Sequence, residues 1–267
     1  MSKKIGFIGL GNMGYAILSA FITQGALDKK EIAVVSRSEK GRLLAEKEDV
    51  VVFSNTKELA CFADIIILAV KPKDSLAVIA EIKQELKNKA LLSVVAGLNY
   101  KTIQQTMDGV NVRVLTALPN TPVQVCQGII ALTKETTFTE EEKKFTQTIF
   151  ESAGMVEWIE EKFLPVFSAI AGSGPAFAAI FAEALADGAV LEGLPRALSY
   201  RLAAQMMTGT GALLLETKNH PGIIKDSVSS PGGTTIEGVA ELEKNTFRSA
   251  LIAAVRASAE KFNRLIH

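Results

Sequence analysis

The sequence predicts an open, mostly parallel α/β sheet over residues 1–160, followed by an all-helical part over residues 161–267. Three observations carry this reading. Short β-branched runs alternate with amphipathic stretches through the first 130 or so residues, a glycine-rich turn follows the first run, and after Phe163 the strand signals stop. Strands that alternate with helices imply parallel pairing with right-handed crossovers.

The strand candidates are residues 4–8, 32–36, 65–69, 91–95, 113–117 and 128–133, with amphipathic helices such as 14–23 and 74–86 between them. From Thr139 the strand signals thin out. The C-terminal part reads as helices over 175–192, 195–216 and 246–265, with shorter ones around Ile223 and Ile236. Pro175 and Pro195 stand where a helix would begin. Residues 175–191 are rich in Ala and Phe and carry only Glu183 and Asp187 as charges. A helix so apolar all round belongs in an interior, and a bundle of about a hundred residues has little interior to offer. A subunit interface is therefore the expected environment.

Composition narrows the function. The 267 residues are 48% apolar, and 29 Lys and Arg balance 29 Asp and Glu. With no general positive field, neither nucleic acid nor an anionic membrane is an expected partner, and any bound anion must be held by local geometry. Cys61 and Cys126 stand apart from each other and from the two histidines, His220 and His267, so neither a metal site nor a histidine-based triad is expected. Isolated thiols suit a reducing, cytoplasmic setting. The first residues imitate a secretory signal, but Gly9, Gly11 and Asn12 break the apolar run. The uncharged stretch 164–182 is expected to break at Gly172-Ser173-Gly174-Pro175 into two helices, each too short to span a bilayer.

The residues Gly9-Leu10-Gly11-Asn12-Met13-Gly14 follow the first strand and open a helix. This is the G-x-G-x-x-G spacing in the context that a dinucleotide-binding, Rossmann-type site requires. Gly9 permits the tight turn, Gly11 lets the backbone approach a pyrophosphate, and Gly14 lets the helix pack on the sheet. Free N–H groups at the helix start face the anion. At the end of the second strand an NAD site usually carries Asp or Glu, whereas this chain reads Ser36-Arg37-Ser38. A guanidinium flanked by hydroxyls suits a 2′-phosphate. NADPH is the expected cofactor, ahead of NADH.

Beyond that turn the chain resembles pyrroline-5-carboxylate reductases over essentially its whole length. The resemblance is carried by the glycine turn, by Ala69-Val70-Lys71-Pro72 and by Leu118-Pro119-Asn120-Thr121-Pro122. It continues through Gly172-Ser173-Gly174-Pro175-Ala176-Phe177, Ala184-Leu185-Ala186-Asp187-Gly188 and the stretch from Lys225 to Thr235. It implies an NADPH-dependent reduction of the C=N bond of 1-pyrroline-5-carboxylate to L-proline. It places Ala69, Val70, Lys71, Pro72, Ala96 and Gly97 beside the nicotinamide half of the cofactor and Asn55 beside the adenosine ribose. The C-terminal part becomes a substrate-binding and dimerisation domain, in an assembly of at least two chains and in some members a decamer of five dimers.

Ser229-Ser230-Pro231-Gly232-Gly233-Thr234-Thr235 is a hydroxyl- and glycine-rich loop entering a helix, so it offers a cluster of backbone donors for a carboxylate. The resemblance implies the same for Ser230, Gly233, Thr234 and Thr235, and makes Thr235 the candidate partner of the substrate's ring nitrogen. An ordinary Ser/Thr helix cap is the plainer alternative. Lys71, next to Pro72 in a turn, is read as a backbone contact without a chemical role. The chain departs from the family where Pro165-Val166-Phe167-Ser168 replaces a common Asp-Ala-Val-Thr, and where Phe177 replaces a frequent Tyr.

Three rival readings remain. A β-hydroxyacid dehydrogenase needs a catalytic Lys and then an Asn at the domain junction, and residues 164–200 contain neither. A non-catalytic NADP-binding sensor would be expected to lose the substrate loop. A related imine reductase acting on another substrate would keep it.

Overall fold

Each of the six predicted apolar runs forms a strand. The computed structural model describes residues 3–266. In chain order the first half forms β1 (Ile5–Ile8), α1 (Asn12–Thr23), β2 (Ile32–Val35), α2 (Glu39–Lys47), β3 (Val51–Val52), α3 (Thr56–Phe62), β4 (Ile65–Leu68) and α4 (Pro72–Glu81). It continues with β5 (Ala90–Ser93), α5 (Tyr100–Thr106), β6 (Arg113–Pro119), β7 (Gly128–Thr133), α6 (Glu140–Glu151) and β8 (Gly154–Ile159). Then come α7 (Leu164–Phe167), a π turn (Ser168–Gly172), α8 (Gly174–Leu191), α9 (Arg196–Thr217), α10 (Pro221–Ser227), α11 (Thr234–Lys244) and α12 (Phe247–Ile266).

The sheet order is β3-β2-β1-β4-β5-β6-β7-β8, and β1 through β6 run parallel. Successive residues of β1 and β4 go to opposite faces. Ile5, Phe7, Ile65 and Ile67 join one core with Ile17, Phe21 and Phe150 of α1 and α6. Ile8, Ile66 and Leu68 join the other with Leu59, Ile79 and Ile103 of α3, α4 and α5. Coverage on both faces explains why these strands read as unbroken apolar runs without alternation. Phe21 and Phe150 meet edge to face at 5.2 Å.

The structure corrects the sequence expectation in four places. First, β7 pairs antiparallel with β6. Only eight residues join the two, and a parallel crossover needs a dozen or more. Second, β3 and β8 were not expected: β3 has two residues, and β8 carries Glu157 and Trp158 on a half-exposed edge. Its register comes from pairing with β7, not from local apolarity. Third, α4 stops at Glu81, and Ile82 and Leu86 are buried from turns.

Fourth, the expected break at Gly172–Pro175 forms as a single bend at Ser173 with α8 starting at Gly174, and what precedes it is a π turn in place of a plain helix. The stretch 161–191 taken as a whole is long and apolar enough to cross a membrane by length and composition. The π turn takes up the irregularity ahead of Pro175, which enters α8 in its first turn, where its missing N–H costs nothing. Buried Asn120 braces this turn: its Nδ2 donates to the Ala171 carbonyl at 2.9 Å, and its Oδ1 accepts from Ile129 N–H at 2.8 Å.

The chain divides into two compact units. The first runs to Gly172 and takes in the chain again from Ser258, and the second is Ser173–Ala257. In the second, α8 and α9 pack against each other, yet among the described residues only Ala186, Ser199 and Ala203 are buried. Ile180, Leu191, Leu202, Met206 and Leu215 are exposed on these two helices. Three small side chains are no interior for a unit of this size, so its apolar faces need a cover. Light scattering at micromolar concentration is expected to give at least twice the mass of one chain, and a stable monomer would overturn this.

A partly buried ion pair, with Glu142 buried and Arg113 half-buried, ties β6 to α6. Arg113 Nε donates to both Glu142 carboxylate oxygens at 2.9 Å, and Nη2 lies 2.8 Å from Oε1. Glu142 also closes a capping box with Thr139. Burial alone would raise the Glu142 pKa, but the Arg113 hydrogen bonds and the Thr139 N–H outweigh it and hold the carboxyl below its ordinary value. A carboxyl depressed on folding contributes stability above its unfolded pKa, about 4.3, and that stability is lost as pH falls through the folded value. Glu142→Gln keeps the cap but strands Arg113. It is expected to cost on the order of 3 kcal/mol at pH 7, read as a lowered urea midpoint, with the gap to wild type closing as pH drops below about 4.

Candidate active site

The strand order reverses between β1 and β4, and the crevice beyond their carboxyl ends is where open α/β sheets bind ligands. The chain is pinned there by Gly9 N–H donating to the Val35 carbonyl and Ala69 N–H to the Ile8 carbonyl, both at 2.9 Å. Gly9 has φ +91°, and a Cβ on it would lie 2.7 Å from the Ala69 carbonyl oxygen. A Cβ on Gly14 would lie 2.7 Å from the Gly9 oxygen, whereas one on Gly11 would meet nothing within 4 Å. Two of the three glycines are thus demanded by protein contacts. The third opens onto free space.

That space is a cavity of about 310 Å³ lined by Gly9, Leu10 and Gly11, by Ser36, Arg37 and Ser38, and by Ala69, Val70 and Lys71. Gly11 is the N-cap of α1 and supplies no side chain to the helix start. Uncapped N–H groups, a glycine facing the opening and a basic rim fit a dinucleotide's pyrophosphate and a 2′-phosphate. Asn12 is exposed at the start of α1, while the Met13 side chain packs against the core. Asn55 does not line the cavity. Its Oδ1 caps α3 by accepting from Glu58 N–H at 2.9 Å, and the neighbouring Thr56 lines the cavity instead.

Arg37 is exposed and forms no ion pair among the described residues. Ser38 Oγ accepts from Gly41 N–H at 3.1 Å to cap α2, and the hydroxyls of Ser36 and Ser38 lie 3.3 Å apart. Lys71 precedes Pro72 as the N-cap of α4 and makes no capping bond with its side chain.

Pro72, Ala96 and Gly97 line a second cavity, of about 440 Å³, together with Ser168 and Phe262. Gly97, at φ +79°, also borders a third of about 540 Å³ that contains Glu135 and Glu161. Glu161 Oε1 accepts from Tyr100 N–H at 3.0 Å, and Glu161 N–H donates to Glu135 Oε2 at 2.8 Å. Sequence reasoning missed both carboxylates. Glu160-Glu161-Lys162 reads as a solvated charge run, and only the folding of residue 161 onto the start of α5 turns it toward a cavity.

In the second unit, the predicted carboxylate loop lies between α10 and α11. Ser229 Oγ donates to the Lys225 carbonyl at 2.7 Å, and Gly233 N–H to the Ser230 carbonyl at 3.0 Å. Gly232 has φ +67°. A Cβ on Gly233 would come within 2.3 Å of Ser230 Oγ, so only glycine lets that hydroxyl sit at the helix start. Gly233 itself is the N-cap of α11, with no side-chain cap. The plainer alternative, a Ser or Thr cap, is therefore not what forms. Thr234 and Thr235 stand exposed in the first turn, leaving the helix end with open donors and hydroxyls.

Two family models match the chain. A family model described as pyrroline-5-carboxylate reductase dimerisation matches residues 161–265, and one described as NADP oxidoreductase, coenzyme F420-dependent, matches residues 4–97. The chain is 40% identical over 267 residues to the pyrroline-5-carboxylate reductase of Escherichia coli strain K12, with 99% of each chain covered. A crystal structure of the Plasmodium falciparum pyrroline carboxylate reductase with NADP bound matches with a TM-score of 0.89 at 32% identity, over 99% of this chain and 98% of that one. The structure of a pyrroline-5-carboxylate reductase from Coxiella burnetii matches with a TM-score of 0.93 at 30% identity, over all of both chains.

Arg37 sits on the cavity rim with its charge unspent. Arg37→Ala is expected to weaken NADPH binding about ten- to a hundredfold, the worth of one charged hydrogen bond. NADH, which lacks the phosphate, should bind almost as before. Titration of each cofactor against both proteins checks this, and equal losses would sink the 2′-phosphate assignment.

Proposed function

The chain belongs to the pyrroline-5-carboxylate reductase family, and on that premise we propose that it reduces 1-pyrroline-5-carboxylate to L-proline with NADPH, the last step of proline biosynthesis. The observation that carries this reading is the start of α11, where Gly233 leaves the helix uncapped beside the hydroxyls of Ser230, Thr234 and Thr235. A neutral chain has no general field to hold an anionic substrate, and this helix end supplies a local one. Ser230, Gly233, Thr234 and Thr235 hold the substrate carboxylate.

NADPH, when bound, supplies the hydride that reaches the C=N carbon. The glycine turn of the first unit holds its pyrophosphate, Ser36 and Arg37 its 2′-phosphate, and residues 69–72 with Ala96 and Gly97 its nicotinamide half. The imine nitrogen is protonated near neutral pH before reduction, so no strong general acid is required. Thr235 Oγ1 accepts a hydrogen bond from that N–H and fixes the ring while the carboxylate is held, which leaves positioning as the protein's main contribution. Lys71 takes no part in the chemistry.

The chain assembles at least as a dimer through residues 161–265, the span of the dimerisation model. The apolar run 161–191 belongs to that role. A decamer of five dimers is the larger assembly, read by the same mass measurement. The free thiols of Cys61 and Cys126 support a cytoplasmic location.

Assay of the purified protein with 1-pyrroline-5-carboxylate and each cofactor tests the activity directly; absence of turnover with both would favour the sensor reading. Thr235→Ala is expected to bind NADPH like wild type while turnover and catalytic efficiency fall together, about ten- to a hundredfold. Thr235→Ser should recover much of the activity, because it returns the hydroxyl. Wild-type constants for Thr235→Ala would reduce Thr235 to a helix residue and leave binding to the backbone donors.

A further inference from the structure

The turn after β2 is held by a second arginine that lies outside the glycine motif and off the cavity wall. Arg42, in the first turn of α2, donates from Nη1 to the carbonyl oxygens of Ser36 at 3.3 Å and Arg37 at 3.0 Å. The segment closes on itself at three further points. Ser38 Oγ accepts from Gly41 N–H, the Ser36 and Ser38 hydroxyls meet, and a Cβ on Gly41 would come within 2.2 Å of Ser36 Oγ. Glycine at position 41 is therefore what lets the Ser36 side chain lie on the first turn of α2.

Arg42 is exposed, and α2 already has its cap in Ser38, so the helix start does not need this guanidinium. What the guanidinium does reach is the backbone of Ser36 and Arg37, two of the residues that line the cavity at the end of β2. We propose that Arg42 is a positioning residue for cofactor choice, clamping the Ser36 and Arg37 carbonyls so that the Arg37 guanidinium is presented, already ordered, to the 2′-phosphate of NADPH. This rests on the assignment of Arg37 to that phosphate.

The clamp works through ordering. A free surface loop must surrender backbone and side-chain freedom when its arginine captures a phosphate, and that cost comes out of the binding energy. A turn already fixed at both carbonyls loses less. The benefit falls only on a ligand that uses Arg37. Guanidinium suits the task because one planar nitrogen with two hydrogens serves both carbonyls, while an ammonium on a flexible stem is a strongly hydrated point charge that holds no such geometry.

The test measures dissociation constants for NADPH and NADH, by cofactor fluorescence, on the full-length wild type, Arg42→Ala, Arg42→Lys and Arg37→Ala. Urea midpoints are read without cofactor. Arg42→Ala is expected to weaken NADPH about tenfold and NADH by less than about twofold, with an unfolding midpoint close to wild type. Arg42→Lys should behave like alanine, since it keeps the charge and loses the clamp. Equal weakening of both cofactors, or a lowered midpoint with no change in cofactor preference, would overturn the proposal by making Arg42 merely structural. Full rescue by lysine would overturn it as well, since charge alone would then suffice. Arg37→Ala separates the two ideas. If it discriminates between cofactors and Arg42→Ala does not, only the clamp fails; if Arg37→Ala itself does not discriminate, the phosphate assignment beneath it fails.

Discussion

Three backbone segments meet behind Gly9 with no room for a side-chain carbon among them. The turn after β1, the first helical turn of α1 and the end of β4 approach so closely that a Cβ on Gly9 or on Gly14 would lie 2.7 Å from a carbonyl oxygen. That approach is what the cavity lined by the glycine turn depends on. It brings the open end of α1 up to the crevice between β1 and β4, and it sets Ala69, Val70 and Lys71 across from Leu10 and Gly11. A methyl group at position 9 would have to part the two strands' ends, and the positive φ there would strain any residue but glycine. The cavity is the space left over after this contact is made.

The second unit obeys a different constraint. Its helices are long and apolar, yet the two that pack together, α8 and α9, bury almost nothing large. A hydrophobic surface without an interior finds its free-energy minimum against another such surface, and a second copy supplies one. Dimerisation and folding of this unit are therefore one problem. The same reasoning explains why a run with the length and hydropathy of a membrane span occurs in a chain of this family.

Charge is handled locally in both units. The chain as a whole is neutral, so an anion needs a local receptor, and both α1 at Gly11 and α11 at Gly233 start without a side-chain cap, close to hydroxyls or a guanidinium. Glycine caps have a common logic: they leave backbone donors uncovered and admit a ligand where a Ser or Asp cap would already fill the site. The partly buried ion pair of Arg113 with Glu142 serves architecture, joining β6 to α6 far along the chain from either glycine turn.

Much of this was legible in the chain itself. The first turn, from β1 through Gly9, Gly11 and Gly14 into α1, was identified by the glycine spacing, although the contact that demands glycine at position 9 comes from Ala69 at the end of β4. The apolar runs of β1, β2, β4 and β5 announced strands covered on both faces, and Gly232-Gly233 announced the loop into α11. Tertiary structure decided what depends on distant partners. The direction of β7 follows from a connection too short to cross over, and β8 exists because β7 offers it hydrogen bonds. The π turn before α8 stands on an amide, Asn120, some fifty residues earlier in the chain. Nothing in the local sequence singles out Glu161, which folding brings to the start of α5, or Arg42, whose guanidinium meets the carbonyls of Ser36 and Arg37. Periodicity and turn chemistry encode conformations within a few residues of each other, whereas strand pairing, cavity lining and clamping bonds are settled only when segments far apart in the chain compete for the same space.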